Sequence, residues 1–483
     1  MKRLQLSGVL VSTSRIPGDP FDTSVILWTR AQALPSSSGQ LPDQSVPVCV
    51  SYKIGTSSDL SGRPVDSGEA FTSYDIDFTV KVEATGLKAD TKYFYQFADC
   101  TNPSIVSPIG ATRTLSNSNT PAERVNGGKP LTFAVFSCSQ FQAGELIFTS
   151  PSAMVHLSAV KPSAESWPLF MTIANGWANT GQTLTCKQLI REDLGLLFGC
   201  VIFRLLPSMS NGLNPRSHKD DHEVADNAWK AGTTDSNDTA AGCSFSPSGA
   251  CFTDRKFAGV RAYHEWMPIR QVDAKDQLRI WRNFQIGKLL DLTMLDTRQY
   301  NRDVTDVGYN RAIDFDAWDG YRANRNRVLN HLYNNKISNT VILSGDSHAN
   351  WASDLAHDND VVGYDPVSGR GAIGVEFAGT GVTSTTGPFD RETFEQAVNT
   401  SSIYVRDNLD LQWNEGFFRG FFTLEVSPKT LTATYYSMRN VTFRNLDGFA
   451  IATFIVHAGE NHLARPVAGG KVLSGALKSQ AGH

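Results

Sequence analysis

The stretch Leu343-Ser344-Gly345-Asp346-Ser347-His348-Ala349-Asn350-Trp351 places a carboxylate and an imidazole two residues apart, directly after the apolar run Val341-Ile342-Leu343. The run predicts a buried strand, and Gly345 lets the backbone turn sharply at its end. Open α/β sheets place their sites at the carboxyl ends of strands, so we expect Asp346 and His348 to project there together. A carboxylate oxygen beside an imidazole nitrogen suits Fe, Zn or Mn, which hydrolytic sites use to activate water. The structural alternative is a polar turn with a satisfied histidine, because short motifs match by chance.

Composition and charge are those of an ordinary folded protein. The chain has 483 residues, enough for two or more domains. Hydrophobic residues make up 41% and charged residues 19% of the chain, a composition that excludes a disordered protein. The formal net charge is -4 and no Lys/Arg cluster stands out, which argues against a nucleic-acid-binding surface. The longest apolar run, residues 194–203, is too short to cross a bilayer, and the first residues lack the apolar core of a signal peptide. We therefore expect no transmembrane segment and no signal peptide in this chain.

Cysteines and glycosylation sequons favour an oxidising compartment. Cys49 and Cys100 lie in two predicted strands of one N-terminal unit, and Cys243 and Cys251 bracket a Ser/Pro/Gly loop. Both pairs are plausible disulfides, although the sequence does not fix the connectivity. Acceptor triplets for N-glycosylation begin at Asn237, Asn399 and Asn440. The sequence therefore predicts a secreted glycoprotein whose signal segment is missing from this version of the chain.

The hydrophobic pattern predicts two domains. Residues 1–115 contain short period-two strands, with Tyr93 opening one of them after a Leu and an Asp-Thr turn, the pattern of a tyrosine corner in an immunoglobulin- or fibronectin-like β-sandwich. Residues 116–130 are polar and contain Gly and Pro, which predicts a linker. Residues 131–465 interleave strands with helical stretches, which predicts an α/β domain with antiparallel additions. We expect a flexible tail over residues 466–483.

Within the second domain the periodicity gives individual elements. Helical spacing occurs over residues 276–290 and 322–333. Strands are predicted at 131–136, 290–296, 340–343, 374–378, 422–426, 431–436 and 450–456.

Further potential metal ligands follow other strand ends. Cys138 comes directly after the strand over residues 131–136, and a thiolate beside a cation is a soft-metal ligand. The alternative for Cys138 is a small buried hydrophobe. In the run from Asp220 to Trp229, six of ten residues are acidic, imidazole or amide donors, and the alternative is a solvated acidic loop or a helix N-terminus.

These stretches together resemble the alkaline phosphatase D family within the metallophosphoesterases. The matching motifs, in the family's order, are Gly18-Asp19-Pro20, Ser24 to Arg30, Phe136-Ser137-Cys138-Ser139, Asp220 to Trp229, Asp296 to Tyr300, Gly345 to Trp351 and Glu376-Phe377-Ala378-Gly379-Thr380. The resemblance implies secreted enzymes that hydrolyse phosphate mono- and diesters. It also implies a β-sandwich in front of a four-layered α/β/β/α core, with a small phosphoester as substrate and no larger partner, so we expect a monomer.

The resemblance also implies the metals and their ligands. The site would pair Fe(III) with one or two divalent ions, Ca foremost, with Zn, Mn or Mg as alternatives. Cys138 would be the iron ligand, and Asp346 and His348 would be ligands from the family's Gly-Asp-x-His motif. Asp221, at the place of the superfamily's Asn-His pair, would ligate the second metal.

Three further residues would act on the substrate if the resemblance holds. His222 would protonate the leaving group or bind phosphate, and Asn227 would be a further ligand or phosphate contact. Arg255 would clamp phosphate, for which a bidentate guanidinium is suited.

One family motif is missing. After its cysteine the family has a His-Leu-Gly-Asp-x-x-Tyr motif whose Asp bridges the metals, but no Gly-Asp pair occurs between Gly144 and Asp220. We hypothesise that residues 146–219 are translated non-coding or frame-shifted sequence, and that a stretch is lost near residues 312–316; real divergence is the alternative. Because a two-metal site needs a bridging carboxylate, we expect this chain to be poorly active or inactive, with a catalytically inactive phosphatase-like binding protein as the alternative function.

Overall fold

The computed structural model describes residues 9–33, 46–137, 169–173, 197–198, 201–205, 228–233, 236–239, 252–295, 322–357, 363–382, 389, 391–441 and 447–479. The chain forms two compact units. The first comprises Met1–Thr120, Thr183–Leu197 and Ala258–Gln271, and the second comprises Pro121–Gln182, Phe198–Phe257 and Val272–His483.

The first unit contains two antiparallel sheets. Its strands are β1 (Val9–Gly18), β2 (Val25–Ala33), β3 (Val48–Gly55), β4 (Asp66–Thr72), β5 (Thr79–Ala84), β6 (Lys92–Asp99) and β7 (Gly110–Arg113). One sheet has the order β1-β2-β5 and the other has the order β4-β3-β6-β7. Period-two alternation turns Val25 and Leu27 of one sheet and Tyr95 and Phe97 of the other into a single buried core.

Two specific expectations for this unit are confirmed. The hydroxyl of Tyr93 accepts a hydrogen bond of 2.8 Å from the backbone N–H of Lys88, as a tyrosine corner requires. Cys49 and Cys100 form a disulfide. The other predicted pair, Cys243 and Cys251, lies outside the described residues.

The Gly18-Asp19-Pro20 motif has a structural role in the first unit. Asp19 is buried and accepts a 2.8 Å hydrogen bond from the backbone N–H of Arg270 through its carboxylate. The Arg270 guanidinium also donates to the carbonyl of Asp19 and to the hydroxyl of Ser24, and forms an ion pair with Glu83 at 2.9 Å. The motif therefore holds the segment Ala258–Gln271 within this unit.

The second unit contains two larger mixed sheets. A six-stranded sheet has the order β10 (Leu197–Phe198), β9 (Leu169–Ile173), β8 (Leu131–Ser137), β20 (Arg419–Val426), β21 (Thr430–Met438), β22 (Gly448–His457). An eight-stranded sheet has the order β14 (Arg282–Ile286), β15 (Leu290–Met294), β11 (Val201–Leu205), β16 (Thr340–Ser344), β18 (Gly374–Ala378), β17 (Asn350–Leu355), β19 (Leu411–Glu415), β23 (Ala476–Leu477). A short hairpin joins β12 (Gly232–Thr233) and β13 (Ser236–Asn237).

The described helices are α1 (Phe252–Trp266), α2 (Arg322–Asn334) and α3 (Phe394–Asp407). Helix α3 begins with a capping box, in which Thr393 and Gln396 exchange side-chain and backbone hydrogen bonds. Among the described residues, no helix has the length and apolar character needed to span a bilayer.

Aromatic side chains pack the two large sheets against each other. Trp413 of β19 contacts Tyr435 of β21 at a ring-centroid distance of 5.0 Å and Phe454 of β22 at 5.2 Å. Phe377 of β18 lies 6.2 Å from Phe454. These four side chains form an apolar layer between the two sheets, and burying each of them contributes on the order of 2 kcal/mol.

Most predicted elements of the second unit are confirmed. Helix α2 covers the predicted helix at 322–333, and β16 covers the predicted strand at 340–343. The predicted strands over 131–136, 290–296, 374–378, 422–426, 431–436 and 450–456 correspond to β8, β15, β18, β20, β21 and β22.

Two predictions for this unit are wrong. Residues 282–294 form the hairpin β14–β15 rather than a helix, because their burial alternates with period two and Gly287 adopts φ +56° at the turn. Residues 466–479 are not a flexible tail: β23 pairs with β19 and Leu477 is fully buried there.

Candidate metal centre

The loop that follows β16 carries Asp346 and His348 together, as the sequence predicts. Both side chains are partly exposed, and both residues adopt left-handed backbone conformations, with φ +76° for Asp346 and φ +55° for His348. This conformation costs a residue with a Cβ roughly 1–2 kcal/mol, so two such residues persist only where the surroundings hold them. Backbone strain of this kind is concentrated at functional sites.

Two neighbouring side chains hold the backbone of this loop. The carbonyl oxygen of His348 accepts hydrogen bonds from the Thr380 hydroxyl at 2.9 Å and from the Arg419 guanidinium at 3.3 Å. The indole N–H of Trp351 donates to the hydroxyl of Ser347 at 2.7 Å. The loop is therefore fixed on both sides of His348 and leaves the imidazole partly exposed.

The segment from Gly379 to Val382 joins the ends of two strands from different sheets. The backbone N–H of Gly379 donates to the carbonyl of Ser344, the last residue of β16, at 3.1 Å. The backbone N–H of Val382 donates to the carbonyl of Ser137, the last residue of β8, at 2.8 Å. The strand that precedes Cys138 and the strand that precedes Asp346 therefore end beside the same short segment.

Buried polar residues that the sequence reasoning missed support this edge. The side chain of Asn350 accepts a hydrogen bond from the backbone N–H of Thr380 and donates one to Glu415, both at 3.0 Å. Glu415 in turn accepts from the backbone N–H groups of Phe417 at 2.8 Å and Phe418 at 3.0 Å. Burial raises the pKa of Glu415, and these hydrogen bonds act in the opposite direction. Asn350 lies within the stretch from Leu343 to Trp351, so its position in that motif could have indicated a role. Glu415 lies in no such motif or periodic pattern.

A half-buried acid, Glu376, is hydrogen-bonded to the end of β16. The hydroxyl of Ser344 donates a hydrogen bond to Glu376 of β18, and desolvation raises the pKa of Glu376. The hydroxyl of Tyr435 donates a hydrogen bond to the carbonyl of Trp351 at 3.0 Å. Burial raises the pKa of Tyr435 as well.

The donor set of the loop fits a metal ion. A carboxylate and an imidazole two residues apart, on a strained and partly exposed turn, offer one hard oxygen and one nitrogen ligand. Elsewhere in the described part of the chain, the group of Cys49, Glu69 and Cys100 brings potential ligands together. The two sulfurs of that group form a disulfide and offer no thiolate.

The roles of the other predicted site residues stay predictions. Arg255 lies in α1 with an exposed side chain, and its role as a phosphate clamp stays a prediction. Four others lie outside the described residues: Cys138, Asp221, His222 and Asn227.

Comparisons with known proteins agree with the predicted family. The model of the PhoD-like phosphatase family matches residues 216–315 and 306–435, and the model of that family's N-terminal domain matches residues 12–116. Together these ranges cover well over half of the sequence, and the chain belongs to the PhoD-like phosphatase family. The family consists of phosphoric ester hydrolases.

Two relatives extend this result along the chain. Alkaline phosphatase D of Bacillus subtilis (strain 168) is 26% identical over 494 residues, covering 88% of this chain and 77% of that protein. The solved structure described as "Structure of PhoD" is 22% identical with a TM-score of 0.68, covering 96% of this chain and 92% of that chain. The structural match shows that the fold is shared.

The matched ranges bear on the atypical segment. Neither the catalytic-domain match nor the N-terminal-domain match includes residues 117–215, and the catalytic-domain match comes in two pieces that overlap at residues 306–315. The range 117–215 overlaps the segment 146–219, and the two pieces overlap near residues 312–316. The foreign origin of the segment and the lost stretch both stay hypotheses.

Proposed function

We propose that this chain hydrolyses phosphate mono- and diesters at a metal centre built on the loop of Asp346 and His348. The observation that carries the proposal is the meeting of the ends of β8 and β16 at the segment from Gly379 to Val382, in a chain of the PhoD-like phosphatase family. The name of the Bacillus subtilis relative, an alkaline phosphatase, supports the same activity.

The proposed ligands are Cys138 for Fe(III), Asp346 and His348 as further metal ligands, and Asp221 for the second metal, a divalent ion with Ca foremost. When bound, the metals supply Lewis-acid stabilisation of charge on the phosphate oxygens and lower the pKa of water. The left-handed loop presents Asp346 and His348 without rearrangement, because Thr380 and Arg419 already hold its backbone.

The protein's own groups complete the proposed reaction. A water oxygen forms a bond to phosphorus and releases a proton to solvent, while the bond between phosphorus and the leaving oxygen breaks. His222 gives the proton that the leaving oxygen needs, and Arg255 and Asn227 bind the phosphate oxygens.

The finer architecture and setting belong to the same proposal. The shared core of the two small sheets supports an immunoglobulin- or fibronectin-like sandwich. The aromatic layer between the two large sheets supports the α/β/β/α arrangement. The disulfide between Cys49 and Cys100 supports secretion, and we propose a monomer that acts on a small phosphoester.

A specific observation favours a second candidate function. The Gly-Asp pair that would supply the bridging carboxylate does not occur between Gly144 and Asp220. Turnover by this chain is therefore expected to be slow, and a protein with no turnover would be a phosphatase-like binding module that still holds phosphate esters.

Hydrolysis measured together with metal content separates the two candidates. The assay uses an aryl phosphomonoester and an aryl phosphodiester, with the purified chain loaded with Fe and Ca and with the same preparation in chelator. Slow hydrolysis that stops in chelator supports the proposed function. Folded protein that binds metal and phosphate without hydrolysis supports the binding module, and turnover that persists in chelator contradicts the metal centre.

A further inference from the structure

Four phenylalanines form an aromatic patch beside the loop of His348: Phe394, Phe417, Phe418 and Phe449. Phe417 meets Phe418 edge-to-face at a centroid distance of 5.1 Å, and Phe394 meets Phe417 edge-to-face at 5.5 Å. Phe449 extends the patch at 5.4 Å from Phe418. Phe417 and Phe418 lie in the turn between β19 and β20, Phe394 is the first residue of α3, and Phe449 lies in the edge strand β22. The cluster therefore arises from tertiary packing.

The outer rings of the patch are exposed. Phe417 is 40% exposed and Phe394 is 38% exposed. The guanidinium of Arg439 lies 4.5 Å from the ring centroid of Phe449 and adds a cation at the edge of the patch. The two exposed rings and the cation are accessible to an apolar ligand group.

The patch is tied rigidly to the loop of His348. The hydroxyl of Thr380 lies 2.9 Å from the carbonyl oxygen of His348 and 3.1 Å from that of Phe418, so the two carbonyls are within two hydrogen-bond lengths of each other. Glu415 fixes the turn from within by accepting the backbone N–H groups of Phe417 and Phe418. The backbone that carries Phe417 and Phe418 is therefore fixed beside the backbone of His348, which lowers the entropic cost of binding at the patch.

The geometry points to a subsite in this patch for a flat apolar ring carried by the phosphoester substrate. The inference rests on the proposed function and specifies its substrate class: esters with an aromatic substituent in preference to small alkyl esters. Rings that already pack edge-to-face offer a further aromatic group the same favourable contacts. The position beside His348 places such a substituent next to a phosphate bound at the loop.

Calorimetric titration of the metal-loaded protein with phenylphosphonate and methylphosphonate tests the inference without needing turnover. We expect phenylphosphonate to bind about tenfold more tightly, as partial burial of one ring would give. In Phe417→Ala, and independently in Phe394→Ala, this ratio should fall to near one. Phe71→Ala removes a ring that is 71% exposed in the first unit and should keep the ratio.

The outcomes separate this inference from the proposed function. Inorganic phosphate is titrated first, and no binding to folded, metal-loaded protein would contradict both. Binding of phosphate and of both phosphonates with equal affinity would overturn the subsite alone. A dimer in light scattering that Phe417→Ala dissociates, with no preference for phenylphosphonate, would also overturn it by showing that the patch joins two copies of the chain.

Discussion

The side-chain amide of Asn350 donates a 3.0 Å hydrogen bond to the carboxylate of Glu415, and both residues are almost completely buried. The bond connects β17, which follows the loop of His348, to β19, which precedes the turn that carries Phe417 and Phe418. The same amide accepts the backbone N–H of Thr380. One buried side chain therefore links three segments that surround the candidate metal centre.

Replacing this side chain should weaken both stability and metal binding. Asn350→Ala leaves Glu415 and the N–H of Thr380 without their buried partner, which should cost about 3 kcal/mol of unfolding free energy in urea. Metal affinity measured by calorimetry should fall about tenfold, as when ligand-supporting groups are lost. Asn119→Ala, at an exposed position, is the control and should change neither. Wild-type stability of Asn350→Ala would contradict the assigned role.

The half-buried acid Glu376 gives the fold a defined pH dependence. Desolvation raises the folded-state pKa of Glu376 above the ordinary value of 4.5, so its protonated form is favoured in the folded protein. Its contribution to stability is complete below about pH 4.5 and is lost as pH rises through the folded pKa.

Glu376→Gln should remove this loss, because the amide can still accept the hydrogen bond from Ser344. The unfolding free energy of the variant relative to wild type should rise above about pH 4.5, by at most about 1.4 kcal/mol per pH unit, and then level off. Urea unfolding of both proteins between pH 4 and pH 8 measures the difference. A difference that does not change with pH would show that the Glu376 pKa is not raised by folding.

A buried ion pair secures the C-terminal segment to the eight-stranded sheet. The carboxylate of Asp354 is fully buried and pairs with Arg465, while it also accepts the hydroxyl of Tyr364 at 2.8 Å. Arg465→Met should lower the unfolding free energy by about 3–5 kcal/mol, because the Asp354 charge would stay buried without its cation. Arg406→Met breaks the exposed pair with Asp407 and should have no measurable effect. Equal midpoints in urea for the two variants would contradict this assignment.

The parts of the fold that local pattern determines could be predicted from the sequence. The apolar run before Gly345 predicts β16, and the Leu, Asp-Thr and Tyr pattern predicts the hydrogen bond of Tyr93. The family could also be predicted from its motifs, because their order along the chain is intact on both sides of residues 146–219.

Features that depend on distant partners could not be predicted. Residues 276–290 fit a helical period, but the chain forms the hairpin β14–β15 there. The hairpin is favoured because β15 also pairs with β11, a strand distant in sequence. The segment ending in Leu477 looks polar and Gly-rich, yet β19 offers it an unpaired edge. Glu415 has no local signature at all, since its role comes from Asn350, sixty-five positions away.

The most direct test of the central claim compares kcat/KM for an aryl phosphodiester between the metal-loaded chain, Asp346→Asn and Asp407→Asn. The account expects slow hydrolysis by the unmodified chain, the same rate in Asp407→Asn, whose aspartate is exposed in α3, and a loss of at least a hundredfold in Asp346→Asn. Circular dichroism establishes that each protein is folded, and metal analysis measures how much metal each one holds. Equal hydrolysis by Asp346→Asn and the unmodified chain would contradict the claim that the loop after β16 holds the catalytic centre.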